Sequence, residues 1–204
     1  MPRLVDHDRR RAELAEAVWR IVSRQGVAAA SVRGVAAEAG LSKGSVRFFF
    51  ADQDELLHFA MTEVVRRVRA RAASQLGDRS DLVEAGEPVE AVLQLLDQVL
   101  PVSEERRTEA RVWLAFVTHD AGDATAQEIR RQLDDEVRRL CEHCIASLAE
   151  LGALGAGRDP AAEATALWAL LDGLTLQLLG PITPEAALAT LRTYLRQLAA
   201  PAPA

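Results

Sequence analysis

Lysine is almost absent from this 204-residue chain: position 43 holds the only one, against 23 arginines. Cysteine is nearly as scarce. Cys141 and Cys144 cannot build a disulfide framework, so a reducing cytoplasm is the expected home. The opening Met1–Asp6 has no apolar stretch of the kind a signal peptide needs. Long hydrophobic runs are missing too. The longest, residues 166–180, is interrupted by Asp172 and Gln177 and is too short to cross a bilayer, which excludes a membrane partner. No stretch alternates apolar and polar residues in the manner of a strand. A phosphate-binding glycine loop, a His-Glu-x-x-His helix and a nucleophile elbow are all lacking, so no enzyme class finds support and no cofactor is expected.

What is present suits a folded helical protein. The chain is 49% apolar and 26% charged, enough for one large core or two small ones. Its net charge of −6 hides an asymmetry. Residues 1–75 carry 13 Arg/Lys against 9 Asp/Glu, whereas residues 76–204 carry 11 against 21. A basic head on an acidic body implies that only the head meets a polyanion.

Periodicity predicts an all-α fold of about nine helices. Leu14, Val18, Ile21 and Val22 mark one face of a first helix ending at Gln25-Gly26. Ser31 and Ser42 are N-cap residues for two short helices, and Asp52 caps a long fourth helix. Residues 77–87 read as a hinge or loop. Five more apolar patterns follow: one from Val89 to Leu100, one opening at Ser103, one from about Thr125 to Leu151, and two spanning roughly 161–179 and 184–199. The division expected is a head over 1–52, reaching into the fourth helix to about 68, and a body over 69–204.

The two short helices flank Ala39-Gly40-Leu41, where glycine permits the left-handed turn of a helix-turn-helix. The second helix is dense in groups suited to a duplex: Ser42, Lys43, Gly44, Ser45 and Arg47. Hydroxyls and amides bind phosphate, and Arg or Lys reads guanine edges in the major groove.

The ordered series Arg11, Ala17, Gly26, Ser31-Val32-Arg33, Val35-Ala36, Ala39 through Val46, Phe50 and Asp54-Glu55-Leu56-Leu57 resembles the TetR family of regulators. Arg106-Arg107, Arg111 through Phe116 and Asp172-Gly173-Leu174 resemble its BetI-type C-terminal domain. The resemblance implies an omega-shaped homodimer and a repressor released from a palindromic operator by a small-molecule effector. An activator or an adaptor of the same fold is the alternative. It also implies that Ser31, Arg33 and Phe48 face DNA with the recognition helix. Two positions depart from the family pattern. Arg47-Phe48 stands where tyrosine and an aromatic are usual, and Gln53 replaces a phosphate-gripping lysine. Arg9, Arg10 and Arg11 fit flanking-phosphate contacts and a solvated first turn equally well.

For the body, Trp113, Phe116, His119 and Trp168, with Thr175 and Gln177 as polar anchors, are candidate walls for a small apolar organic effector. Ordinary core packing is the competing reading for each. Leu188, Leu191, Leu195 and Leu198 repeat at spacings of 3, 4 and 3, and Leu167, Leu171, Leu174 and Leu178 share that rhythm. Both sets are expected to form a dimeric four-helix seam. Cys141-Glu142-His143-Cys144 reads as buried small hydrophobes rather than a metal site, since on a helix His143 turns away from both thiols.

Overall fold

Capping chemistry sets the first boundaries of the computed structural model, which describes residues 3–76, 88–119 and 123–200, with residues 3–6, 75–76 and 119 given by backbone alone. The expected hinge over 77–87 lies outside the described residues. Helix α1 covers Arg3–Gln25, and a 3-10 turn at Val27–Ala29 follows it. Ser31 Oγ accepts from the Gly34 amide at 3.1 Å and opens α2, Val32–Glu38. Ser42 Oγ accepts from the Ser45 amide at 3.0 Å and opens α3, Lys43–Phe49. Gly40, at φ +66°, makes the reversal between them, a conformation a β-carbon disfavours. Asp52 accepts from the Glu55 amide at 2.8 Å while Glu55 accepts from the Ala51 amide at 2.7 Å, a reciprocal cap for α4, Gln53–Leu76. The remaining helices are α5 Pro88–Asp97, α6 Glu104–His119, α7 Ala124–Glu150, α8 Pro160–Leu178 and α9 Pro184–Leu198. Among the described residues there are nine α-helices and no strand. None of these helices is long and apolar enough to cross a membrane.

The chain forms two compact units. The first joins Met1–Arg67 to Thr108–Gln132, so it takes in most of α6 and the start of α7, which a linear division at residue 68 assigns to the body. Its core contains Leu14, Val18, Val35, Val46, Phe50 and Leu56, all at most 1% exposed. Trp19 fixes α1 to α4 by donating its indole N–H to the Ala60 carbonyl at 3.1 Å. Charge explains why α6 belongs here. Glu63 and Glu109 are buried, and Arg67 stands between them at 3.6 Å from each. Arg67 also pairs with Glu16 and lies 4.4 Å from the centre of the Trp19 ring. A buried carboxylate is tolerated only with a partner of this kind.

The second unit comprises Val68–Arg107 and Leu133–Ala204. Its core draws on α5, α7, α8 and α9. Leu167, Leu171, Leu174, Leu178, Leu191, Leu195 and Leu198 are all 2% exposed or less within this single chain, and Leu188 packs beside them. This corrects the expected dimer seam. The three-four rhythm marks the stripe a helix buries, and here α8 and α9 bury it against their own unit. Cys141 and Cys144 belong to the same core, where burial, with Asp172 and Glu142 nearby, pushes the Cys141 thiol up to about 12.

Candidate nucleic-acid interface and effector cavity

Helix α3 is anchored by one residue and displays the rest. Val46 is fully buried, whereas Ser42, Lys43, Gly44, Arg47 and Phe48 are exposed and Ser45 is half-buried. Ser42 and Ser45 hydroxyls lie 2.9 Å apart, so both sit at the rim of the helix start while one caps it. Phe48 is 76% exposed, an unusual position for an aromatic ring. It is held edge-on to Phe49 at 5.1 Å between ring centres. On α2, Arg33 is exposed and Ser31 is half-buried by its capping role.

The arginines of this unit divide into two sets. Arg20 and Arg24 both donate to Glu38, whose carboxyl they hold below its ordinary range. Arg9 and Arg10 pair with Glu13. Arg11 is consumed by structure: it donates to the Phe49 carbonyl at 3.0 Å and lies over the Phe50 and Phe59 rings at 4.3 and 4.6 Å. That removes it from the candidate phosphate contacts. Arg33, Lys43 and Arg47, by contrast, have no acidic partner among the described residues. Three uncompensated cations on adjoining short helices form a surface suited to a phosphate backbone.

The second unit holds a cavity of about 450 Å³ between α4 and α7. Val68, Ala72 and Ala73 of α4 face Val137 and Leu140 of α7, with Val99 beside them. Arg69, Glu136, Arg139 and His143 supply its polar groups. Arg69 crosses from α4 to pair with Glu136 on α7, with Nε 3.0 Å from Oε2.

Residues 14–59 match the tetR family of bacterial regulatory proteins, and residues 88–200 match the C-terminal domain of BetI-type transcriptional repressors. The chain belongs to the TetR family. It is 39% identical over 186 residues to the HTH-type transcriptional regulator PksA of Bacillus subtilis, covering 89% of this chain and 85% of that protein. It is 30% identical to the regulator BetI of Burkholderia mallei, covering 98% and 99% of the two. Among solved structures, a transcriptional regulator from Rhodococcus sp. Rha1 superposes with a TM-score of 0.74 at 29% identity, over 92% of this chain and 95% of that one. A putative regulator from Saccharomonospora viridis in complex with choline gives 0.75 at 22% identity, over 93% and 95%, and shares the fold. This TetR-family protein is therefore a DNA-binding transcriptional regulator and not an enzyme.

In this regulator the head residues expected from the sequence come together on α2 and α3. The expected effector walls are divided between the two units. Trp113 and Phe116 lie in the first unit, where Phe116 is 1% exposed, whereas Trp168, Thr175 and Gln177 lie on α8 in the second. Trp168 packs on the core, Gln177 is exposed, and the side chain of His119 lies outside the described residues. None of them lines the cavity between α4 and α7. No aromatic residue lines this cavity among the described residues; it is the short side chains of Ala72 and Ala73, with Val137 and Leu140 of α7, that leave space. Adjacent alanines on an otherwise bulky helix face were the available signal.

Proposed function

We propose that this regulator is a repressor that binds a palindromic operator as a homodimer and is released by a small, largely apolar organic effector. The observation that carries the reading is the trio of cations without an acidic partner among the described residues, Arg33, Lys43 and Arg47, beside the exposed Phe48. Ser31, Ser42, Gly44 and Ser45 complete the surface expected to lie against DNA. Two heads must present α3 to successive major grooves, about 34 Å apart. An effector that favours another spacing weakens operator binding by the coupling free energy it contributes, and DNA weakens the effector equally. The reading places the protein in the cytoplasm with its operator.

Dimerisation is assigned to the outward face of α8 and α9. With the leucine stripe buried inward, α8 turns Ala162, Ala166, Ala169, Gly173 and Leu176 the other way, and Leu176 is 54% exposed. Small residues at these spacings allow a second helix pair to approach closely. DNA binding is assigned to residues 1–52 with the start of α4 to about 68, and effector binding and dimerisation to residues 69–204. The test is fluorescence-anisotropy titration of a selected operator with Lys43→Ala and Arg47→Ala. A lost bidentate base contact costs about 1–3 kcal/mol, and a lost phosphate contact lowers the salt slope by about one unit. Undiminished affinity in both variants contradicts the assignment.

A further inference from the structure

We infer that the effector is an amphipathic organic anion, an apolar body with one carboxylate, lodged between α4 and α7 with its acid group on Arg139. The inference rests on the effector-released reading above and goes further in naming the chemistry and the place.

Three properties of the cavity select this class. Its volume of about 450 Å³ falls within the range that small-molecule sites occupy. Its floor is apolar: Val68, Ala72, Ala73, Val137, Leu140 and Val99 offer hydrocarbon and no buried hydrogen-bonding group. A ligand lying there must therefore be mostly hydrocarbon. Its charges do not cancel. Arg69 and Glu136 neutralise one another in a bridge from α4 to α7, which leaves Arg139 as an exposed cation with no partner among the described residues. A carboxylate entering the cavity finds a guanidinium that can receive it through two parallel hydrogen bonds. A cationic ligand meets the opposite situation. Among the described residues the one carboxylate in the lining, Glu136, is already bound by Arg69, and no Phe, Tyr or Trp ring lines the cavity to receive a quaternary ammonium group.

The same helix gives the site a route to regulation. Helix α4 supplies Val68, Arg69, Ala72 and Ala73 to the cavity and Leu56, Leu57 and Ala60 to the core of the first unit. A ligand that repositions α4 against α7 acts on an element that also belongs to the DNA-binding unit.

The experiment uses three probes with one tail and different heads: decanoate, 1-decanol and decyltrimethylammonium. Each is titrated against the full-length protein by calorimetry and, separately, against the protein–operator complex by anisotropy. Wild type is expected to bind decanoate about tenfold or more tightly than either other probe, the gain a charge-assisted contact provides. Arg139→Met should remove that preference while its decanol affinity and thermal melt stay as in wild type. Ala73→Trp, which fills the cavity, should abolish binding of all three. Equal binding of the three heads, no binding at all, or a decanoate preference that survives Arg139→Met overturns the inference. Operator release by decanol with the same potency as decanoate leaves the effector reading intact and refutes the anion class. Selective, Arg139-dependent decanoate binding that leaves operator affinity unchanged supports the site and sinks its role as an effector site.

Discussion

Replacing Arg67 by methionine removes one charge from beside two buried carboxylates, Glu109 and Glu63, the second of which keeps its bonds to Arg66. Met retains the apolar stem, so the change in packing is small and the electrostatic loss dominates. The Glu109 side chain is 3% exposed and the Glu63 side chain 9%, while that of Arg67 itself is 22% exposed. Breaking a buried pair costs about 3–5 kcal/mol, because the surviving charge stays desolvated. Here Arg67 reaches solvent in part, and Glu16, at 41% exposure, can turn to water when released. The expected destabilisation is therefore about 2–4 kcal/mol, including the lost stacking on Trp19. Urea unfolding followed by far-ultraviolet circular dichroism at fixed protein concentration measures it. Adding Glu109→Gln to Arg67→Met should recover part of the loss, because it neutralises a buried carboxylate that has lost the charge of Arg67. A single-mutant cost below about 1 kcal/mol, or a strictly additive double mutant, refutes the argument that this network joins α1, α4 and α6.

Other consequences follow from single contacts. A β-carbon added at Gly34 would lie 2.8 Å from the Ala29 carbonyl oxygen, so Gly34→Ala must displace α2 and should cost about 1–3 kcal/mol in a thermal melt. Leu176→Glu, on the outward face of α8, should give a folded monomer by sedimentation, whereas Leu174→Glu, at 2% exposure, should unfold the second unit. Asp123 accepts from His58 and from the amides at the start of α7, and these bonds, His58 first, hold its carboxyl below its ordinary 3.8. A depressed carboxyl contributes stability that is full above that ordinary value and disappears as pH falls through the lower folded one. Asp123→Asn should accordingly flatten the acid limb of a melting-temperature profile.

The sequence announced the head well because local chemistry dictates it. Ser31, Ser42 and Asp52 are caps whose partners lie three residues on, and Gly40 has the one backbone that its turn requires. The surface residues of α3 follow once Val46 is known to point inward. The body was legible as helices but not as a site. Leu167 through Leu198 have the rhythm of a seam, and rhythm alone cannot say whether the covering helix belongs to the same chain or to another. Arg67, Glu63 and Glu109 come from helices far apart in sequence, so no spacing pattern reveals their network. The cavity escaped for a different reason: it is made by what Ala72 and Ala73 lack.

The central claim is that the α2–α3 surface binds operator DNA through its unpaired cations. The affinity of the wild-type dimer for a selected palindrome, compared with a scrambled duplex of equal length across a series of salt concentrations, tests it most directly. The account predicts a preference of about a thousandfold or more and a logarithm of affinity that falls linearly with that of salt, less steeply by about one unit after Lys43→Ala. Binding that ignores salt, or that does not distinguish the palindrome from the scramble, contradicts it.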